Sequence, residues 1–275
     1  MEYYNLLGLN REPFSTTPDP EFFYHSREHK ECLYRLEISL RLRRGLSVIL
    51  GNVGTGKTTL CRTFLRVLEG SKDEFLFRLI LDPSFKSEFE FLNALVELYE
   101  IPESPRSTLE CKNVLQNFLY QKGVVEKRTP VLIIDEGQNL TPTFLEALRI
   151  LLNYETNKYK LLQVVIFAQQ EFLQRIKKQH NFYDRISLGY VVNPLNEEDT
   201  RALIRFRLQK AGLQKGRDLF GDQAYHRIFL HTQGYPRRII TIAHDALVMM
   251  LREEKEIVDE ELIADLIHEK EKWFV

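Results

Sequence analysis

The 275-residue sequence has only three cysteines, three methionines and one tryptophan. Cys32, Cys61 and Cys111 are far apart, odd in number and outside any CxxC or Cys/His cluster. That excludes a disulfide scaffold and a cysteine metal centre, and it predicts reduced thiols in a cytosolic protein. Long hydrophobic runs are also missing. Apolar runs such as Val131–Ile134 and Val164–Ala168 fall far short of the ~20 apolar residues a membrane helix needs. The opening MEYYNLLGLNREPF lacks a basic stretch followed by an apolar one, so no signal peptide is expected. Charge of one sign is absent too. Lys+Arg number 38 against Asp+Glu 39, a net charge of −1, which excludes a strongly basic nucleic-acid coat but leaves room for a local patch. There is no internal repeat and no low-complexity stretch. With 44% hydrophobic and 28% charged residues the composition is ordinary for a folded chain, and the length suits one large domain or two smaller ones.

Organisation follows from periodicity. Pro13, Pro18 and Pro20 stand among Phe14, Phe22, Phe23 and Tyr24, so the first 27 residues are predicted to be a turn-rich segment. The aromatics suggest that it packs onto the body of the protein. A helix is expected from Glu28 to about Arg44, with Leu33, Leu36, Leu40 and Leu42 on one face. Strands are then predicted at Leu46–Leu50, Phe75–Leu81, Val131–Asp135, Leu161–Ala168 and Ile186–Val192, separated by helices. After Pro194 only helices are expected, over Glu197–Ala211, Asp222–His231, Pro236–Arg252 and Asp259–Lys272. Strands alternating with helices, followed by a helical region, predict an α/β domain with a helical C-terminal domain. The expected division is 1–27, an N-terminal segment; 28–194, an αβα core; and 195–275, a helical lid.

Two motifs carry chemistry. Gly51-Asn52-Val53-Gly54-Thr55-Gly56-Lys57-Thr58 fits GxxxxGK[ST], followed by Thr59, and it sits after an apolar strand and before a helix. Glycines let the backbone wrap a phosphate with its N–H groups inward, and the helix start adds a positive dipole end. The Lys57 ammonium can reach the β- and γ-phosphates and the Thr58 hydroxyl can ligate Mg²⁺. About 80 residues on, VLIIDE reads as a central strand ending in Asp135 and Glu136. Asp135 suits Mg²⁺, and Glu136 suits activation of a water for attack on the γ-phosphate.

Three further residues are candidates. Gln169 follows the fourth strand, where a polar side chain can touch the γ-phosphate or the water. Arg237, with Arg238 as its rival, opens a helix after Gly234-Tyr235-Pro236. Arg185, just before the fifth strand, could act on a neighbouring subunit's phosphates as an arginine finger, or form a surface ion pair. The basic groups Arg41/Arg43/Arg44, Arg175/Lys177/Lys178 and Arg237/Arg238 are small and most such groups are solvated faces.

Together these residues resemble the AAA+ ATPases, and among them the ExeA/GspA-type secretion ATPases. The resemblance rests on YYNLLGLNREPFSTTPDPEFFY, GNVGTGKTTLCR, VLIIDEGQNL, AQQEF and GYPRRI, and it spans nearly the whole chain. It implies a P-loop fold with a five-stranded parallel sheet and a helical lid, ATP and Mg²⁺ as cofactors, and Pro18–Tyr24 as part of the adenine wall. Lys57 and Thr58 take the phosphates and Mg²⁺, Asp135 and Glu136 are the acidic pair, Gln169 is a sensor and Arg237 the lid arginine. Ala168-Gln169-Gln170-Glu171-Phe172 stands where that family usually has Gly-Gln-Pro-Glu-Leu, which leaves Gln169 in place but changes the local turn. Secretion ATPases of this type continue into a membrane helix, whereas this sequence ends at Trp273-Phe274-Val275. The expectation is a stand-alone form or an excised cytoplasmic module.

The expected function is Mg²⁺-dependent ATP hydrolysis in a homo-oligomeric ring. It would drive remodelling of a protein complex, an envelope or secretion component, from the cytoplasm or the inner-membrane surface. Two alternatives stand beside it: an ATP-dependent DNA-binding transposition regulator like the MuB/TnsC relatives, and a nucleotide-gated scaffold.

Overall fold

The computed structural model describes residues 2–272; Trp273-Phe274-Val275, named above as the end of the chain, lie outside the described residues. The chain forms two compact units. One comprises Glu28–Val53 and Leu60–Val192, and the other gathers the described parts of 1–27 and 193–275 with Gly54–Thr59.

The first unit is built on five strands: β1 (Leu46–Gly51), β2 (Phe75–Ile80), β3 (Thr129–Ile134), β4 (Gln163–Ala168) and β5 (Ile186–Val192). All pairings are parallel, in the order β2-β3-β4-β1-β5. The three inner strands are buried along their whole length, in keeping with their Val/Ile/Leu-rich content where both faces are covered. The outer strand β5 alternates instead, half-buried and exposed. The middle of the sheet is β4. The acidic strand β3 lies one place from the β2 edge, so the expectation of a central strand there is corrected: an all-apolar strand needs both faces covered, and a second position supplies that as well as the centre does.

In chain order the helices are α1 (Tyr3–Leu6), α2 (Arg27–Arg41), α3 (Lys57–Val67), α4 (Glu88–Leu98), α5 (Thr108–Tyr120), α6 (Pro142–Leu151), α7 (Glu171–Lys177) and α8 (His180–Tyr183). They continue with α9 (Glu197–Lys210), α10 (Asp222–Thr232), α11 (Pro236–Arg252) and α12 (Glu260–Lys272). Starts are capped where the sequence offers a hydroxyl or amide. Ser87, Ser107, Thr141 and Asn196 each accept from a backbone N–H of the first turn of α4, α5, α6 and α9. Two short helices add to those that periodicity predicts, α1 ahead of the prolines and α8 before β5. Leu42 is 54% exposed and lies beyond α2, because Arg43 turns left-handed (φ 48°) and ends the helical face.

The second unit packs α9 to α12 around Ile204, Leu208, Ala243, Leu247 and Leu262. Leu7, Leu9, Phe14 and Phe22 of the N-terminal segment belong to the same core. Arg207, 6% exposed, donates to the carbonyls of Pro13 (3.1 Å) and Ser15 (3.0 Å) and sits over the Phe22 ring. Among the described residues no helix is long and apolar enough to cross a membrane.

Candidate active site

The glycine turn begins where β1 ends. Gly54 (φ 83°) and Gly56 (φ 92°) are both left-handed, the conformation in which only glycine is unstrained. They flank Thr55, which is buried, and Lys57, which is 9% exposed, follows them and opens α3. Within the unit that holds Gly54–Thr59, the Arg237 N–H donates to the Gly54 carbonyl at 3.2 Å. A Cβ at Gly54 would lie 3.3 Å from that of Arg237, and one at Gly56 would lie 3.8 Å from the Phe23 ring. A side chain at either glycine would thus meet a neighbour, and a left-handed glycine turn is the form in which successive backbone N–H groups can hold phosphate oxygens. Arg237 starts at the turn itself with an exposed side chain, while Arg238 places its guanidinium over Tyr235 at 4.9 Å.

Gly234 explains how α11 is aimed. It is left-handed (φ 74°), and a Cβ there would collide with the Leu195 backbone, whose N–H donates to the Gly234 carbonyl at 2.8 Å.

The acidic pair belongs to the sheet unit. Register places Leu50 opposite Ala168 and Ile134 opposite Ile166, so β1, β3 and β4 finish within three residues of one another. Asn52, Asp135 and Gln169 consequently follow strands that end on the same edge. Asp135 is 3% exposed, and its N–H extends the β2 pairing to the Ile80 carbonyl at 2.8 Å. Burial pushes the Cys61 thiol of α3 well above its ordinary value, and the charge of Asp135 raises it further.

Glu136 is half-buried and left-handed (φ 50°, ψ 39°), a costly conformation for a non-glycine residue. Its N–H donates to Asp135 Oδ1 at 3.0 Å. Its carboxylate accepts from Gln138 Nε2, and Gln138 Oε1 accepts from the Gln169 N–H at 3.1 Å. Arg175 of α7 donates to the carbonyls of Gln138 and of Leu140, the latter at 2.7 Å. Between them, Gly137 lies so close to the end of β4 that a Cβ would press into Ile166 and stand 3.2 Å from Ala168 Cβ. At the end of β2, the Ser84 hydroxyl and the Asn139 amide hold the Asp82 carboxyl below its usual range.

Arg185 precedes β5, at the amino edge of the sheet, opposite the edge where Asp135 and Gln169 lie. Its Nε is buried without a hydrogen-bond partner, and among the described residues its side chain makes no ion pair. In two of the basic groups one arginine is consumed internally. Arg43 donates to the Gly123 carbonyl and lies 4.4 Å from the Tyr159 ring centroid, and Arg175 serves the loop just described.

Motif reasoning misses Gln138 and Arg175. The first sits two residues past the acidic pair, where no chemical spacing rule points, and the second is indistinguishable in sequence from a solvated cation.

A family described as "AAA domain" matches residues 40–176. The chain is 34% identical over 249 residues to general secretion pathway protein A of Aeromonas hydrophila, a match covering 90% of this chain and 44% of that protein. The chain thus spans under half the length of that relative. Among solved structures it is similar in fold to the ORC2 protein of Aeropyrum pernix in its ADPNP-ADP complexes, with a TM-score of 0.67 and 17% identity, covering 94% of this chain and 72% of that one. Cdc6p of Pyrobaculum aerophilum gives 0.66 and 18%, covering 90% and 67%. The Thermotoga maritima RuvB branch migration motor gives 0.58 and 15%, covering 88% and 69%. Residues 40–176 thus carry an AAA domain, and over 90% of its length the chain resembles the ExeA/GspA-type secretion protein of Aeromonas.

Proposed function

We propose that the chain hydrolyses Mg²⁺-ATP by in-line attack of water, within a homo-oligomer that remodels a protein complex at the cell envelope. The observation that carries the chemistry is the common edge at which β1, β3 and β4 end, since it gives Asp135, Glu136 and Gln169 the same side of the sheet as the start of the glycine turn.

In this reading Gly51, Asn52, Val53, Gly54, Thr55 and Gly56 hold the phosphates through backbone N–H groups, and Thr59 continues that helix start. The Lys57 ammonium spans the β- and γ-phosphates. Thr58 and Asp135 are the donors for Mg²⁺, which when bound would neutralise charge on the β- and γ-oxygens. The Glu136 carboxylate takes a proton from water as its oxygen bonds to the γ-phosphorus; the bond to the bridging oxygen breaks and ADP leaves. The Gln169 side chain orients the γ-phosphate or the water, and Arg237, anchored at Gly54, brings a cation from α11. Arg185 acts on a neighbouring copy, supported by its position at the opposite sheet edge and by its freedom from an ion pair. The Pro18–Tyr24 segment walls the adenine, with Phe23 already beside Gly56. Residues 28–194 form the core and 195–275 the lid.

The secretion setting and a cytoplasmic, membrane-peripheral location rest on the Aeromonas relative. The DNA-binding alternative loses two of its candidate cations, since Arg43 and Arg175 are spent on internal carbonyls and a ring.

The test is steady-state hydrolysis with light scattering in ATP, ADP and no nucleotide. The expected result is turnover that Lys57→Ala abolishes together with nucleotide binding, and a larger particle in ATP. No turnover at any protein concentration would contradict the proposal.

A further inference from the structure

Among the described residues no cation holds the Glu136 carboxylate. Its side-chain partner among the described residues is the Gln138 amide, whose other end is fixed by the backbone of Gln169. The orientation of that amide is forced. A carboxylate needs a donor and an N–H needs an acceptor, so nitrogen faces Glu136 and oxygen faces Gln169. The backbone of Gln138 is pinned independently by Arg175, and Gly137 is wedged against β4. A half-buried side chain on so constrained a backbone has little freedom. Meanwhile Glu136 sits in a left-handed conformation that holds only if its surroundings hold it.

We propose that Gln138 is the positioning residue for Glu136, linking the water-activating carboxylate to the Gln169 backbone at the end of β4. The inference rests on the reading of Glu136 as the proton acceptor. Gln138 acts through Glu136. It fixes where the carboxylate stands, and because the same amide is tied to Gln169, a shift at the γ-phosphate sensor is transmitted to the acceptor through one side chain. Misplacing a reacting group by about 1 Å costs up to about 100-fold in rate, with little change in substrate binding.

The experiment measures kcat, KM for ATP, ADP affinity and melting temperature for the full chain and three variants. Glu136→Gln tests the underlying reading: it should abolish turnover with nucleotide binding intact, and parent-like turnover there would remove the acceptor assignment whatever Gln138 does. Gln138→Ala should lower kcat about 10–100-fold, with KM, ADP affinity and melting temperature unchanged. Gln138→His is the decisive partner. A neutral imidazole offers one donor and one acceptor, whereas imidazolium offers two donors and faces the Gln169 N–H with the wrong group. At pH 8 this variant should recover to within about threefold of the parent, and it should lose activity on acidification with a midpoint of about 6.5 that the parent lacks. Should the alanine variant fail to fold, the pH profile of the histidine variant decides. The proposal is overturned if Gln138→Ala turns over within about twofold of the parent, if its loss is matched by lost nucleotide affinity or melting temperature, or if Gln138→His shows no acid limb of its own.

Discussion

The interiors of the two units are stabilised by different means. The sheet unit is mostly apolar inside: β1, β3 and β4 are buried throughout with Ser47, Thr129 and Gln163 as their buried polar side chains, and a polar cluster of Asp135, Glu136, Gln138 and Asp82 stands at the carboxyl edge. The helical unit carries polar groups into its interior. Arg207 clasps two carbonyls from a segment about 190 residues away, the Tyr225 hydroxyl meets Asp218, and Tyr24 donates to Asp199 at 2.8 Å. Volume stabilises the first unit, while a few specific polar and backbone contacts fix the second.

That contrast can be broken by substitution. The largest effect is expected in the sheet: Phe167→Ala, fully buried on β4, should cost about 3–5 kcal/mol by denaturant unfolding, because a packed strand cannot close over the cavity. Next comes Gly234→Ala, at about 2–4 kcal/mol, since it strains a left-handed residue and drives a Cβ into the Leu195 backbone. Arg207→Leu keeps apolar bulk but leaves two carbonyls without their cation. It should cost about 2 kcal/mol and expose the Pro13–Ser15 stretch to limited proteolysis. A neutral result there would mean that apolar burial alone holds the segment.

The smallest effect is a pH slope. Burial first, then the hydrogen bond to Asp199, pushes the Tyr24 hydroxyl up to about 12. The fold favours the neutral phenol, so this contribution is complete below about pH 10, the unfolded value, and is lost as pH rises through about 12. Tyr24→Phe should therefore flatten the decline in stability across that window relative to the parent, followed by chemical denaturation at each pH.

The same contrast explains what is legible in the sequence. The three inner strands are readable because parallel strands buried on both faces write themselves as apolar runs, and the glycine turn because its conformation and chemistry demand particular residues at fixed spacing. Strand order is not readable, since nothing local to VLIIDE says whether β3 or β4 is in the middle. Nor is Gln138, whose role depends on the end of β4 arriving beside it from about 30 residues later in the chain. Arg175 looks like one member of a basic cluster with Lys177 and Lys178 for the same reason. Its carbonyl partners exist only once α7 has folded back on the loop after β3. In the helical unit, periodicity reveals α9 to α12 but not the role of Arg207, because a cation among apolar residues is ordinary on a helix surface and is explained only by the segment it clasps.

In the proposed mechanism the carboxyl edge of the sheet performs the hydrolysis, with Glu136 accepting the proton. The direct measurement is the fate of radiolabelled ATP bound to Glu136→Gln protein in a single turnover, compared with the parent. The variant should bind ATP with affinity within about threefold of the parent and retain it uncleaved, with conversion slowed by about 100-fold or more. Conversion at the parental rate with ATP bound would contradict the assignment of Glu136.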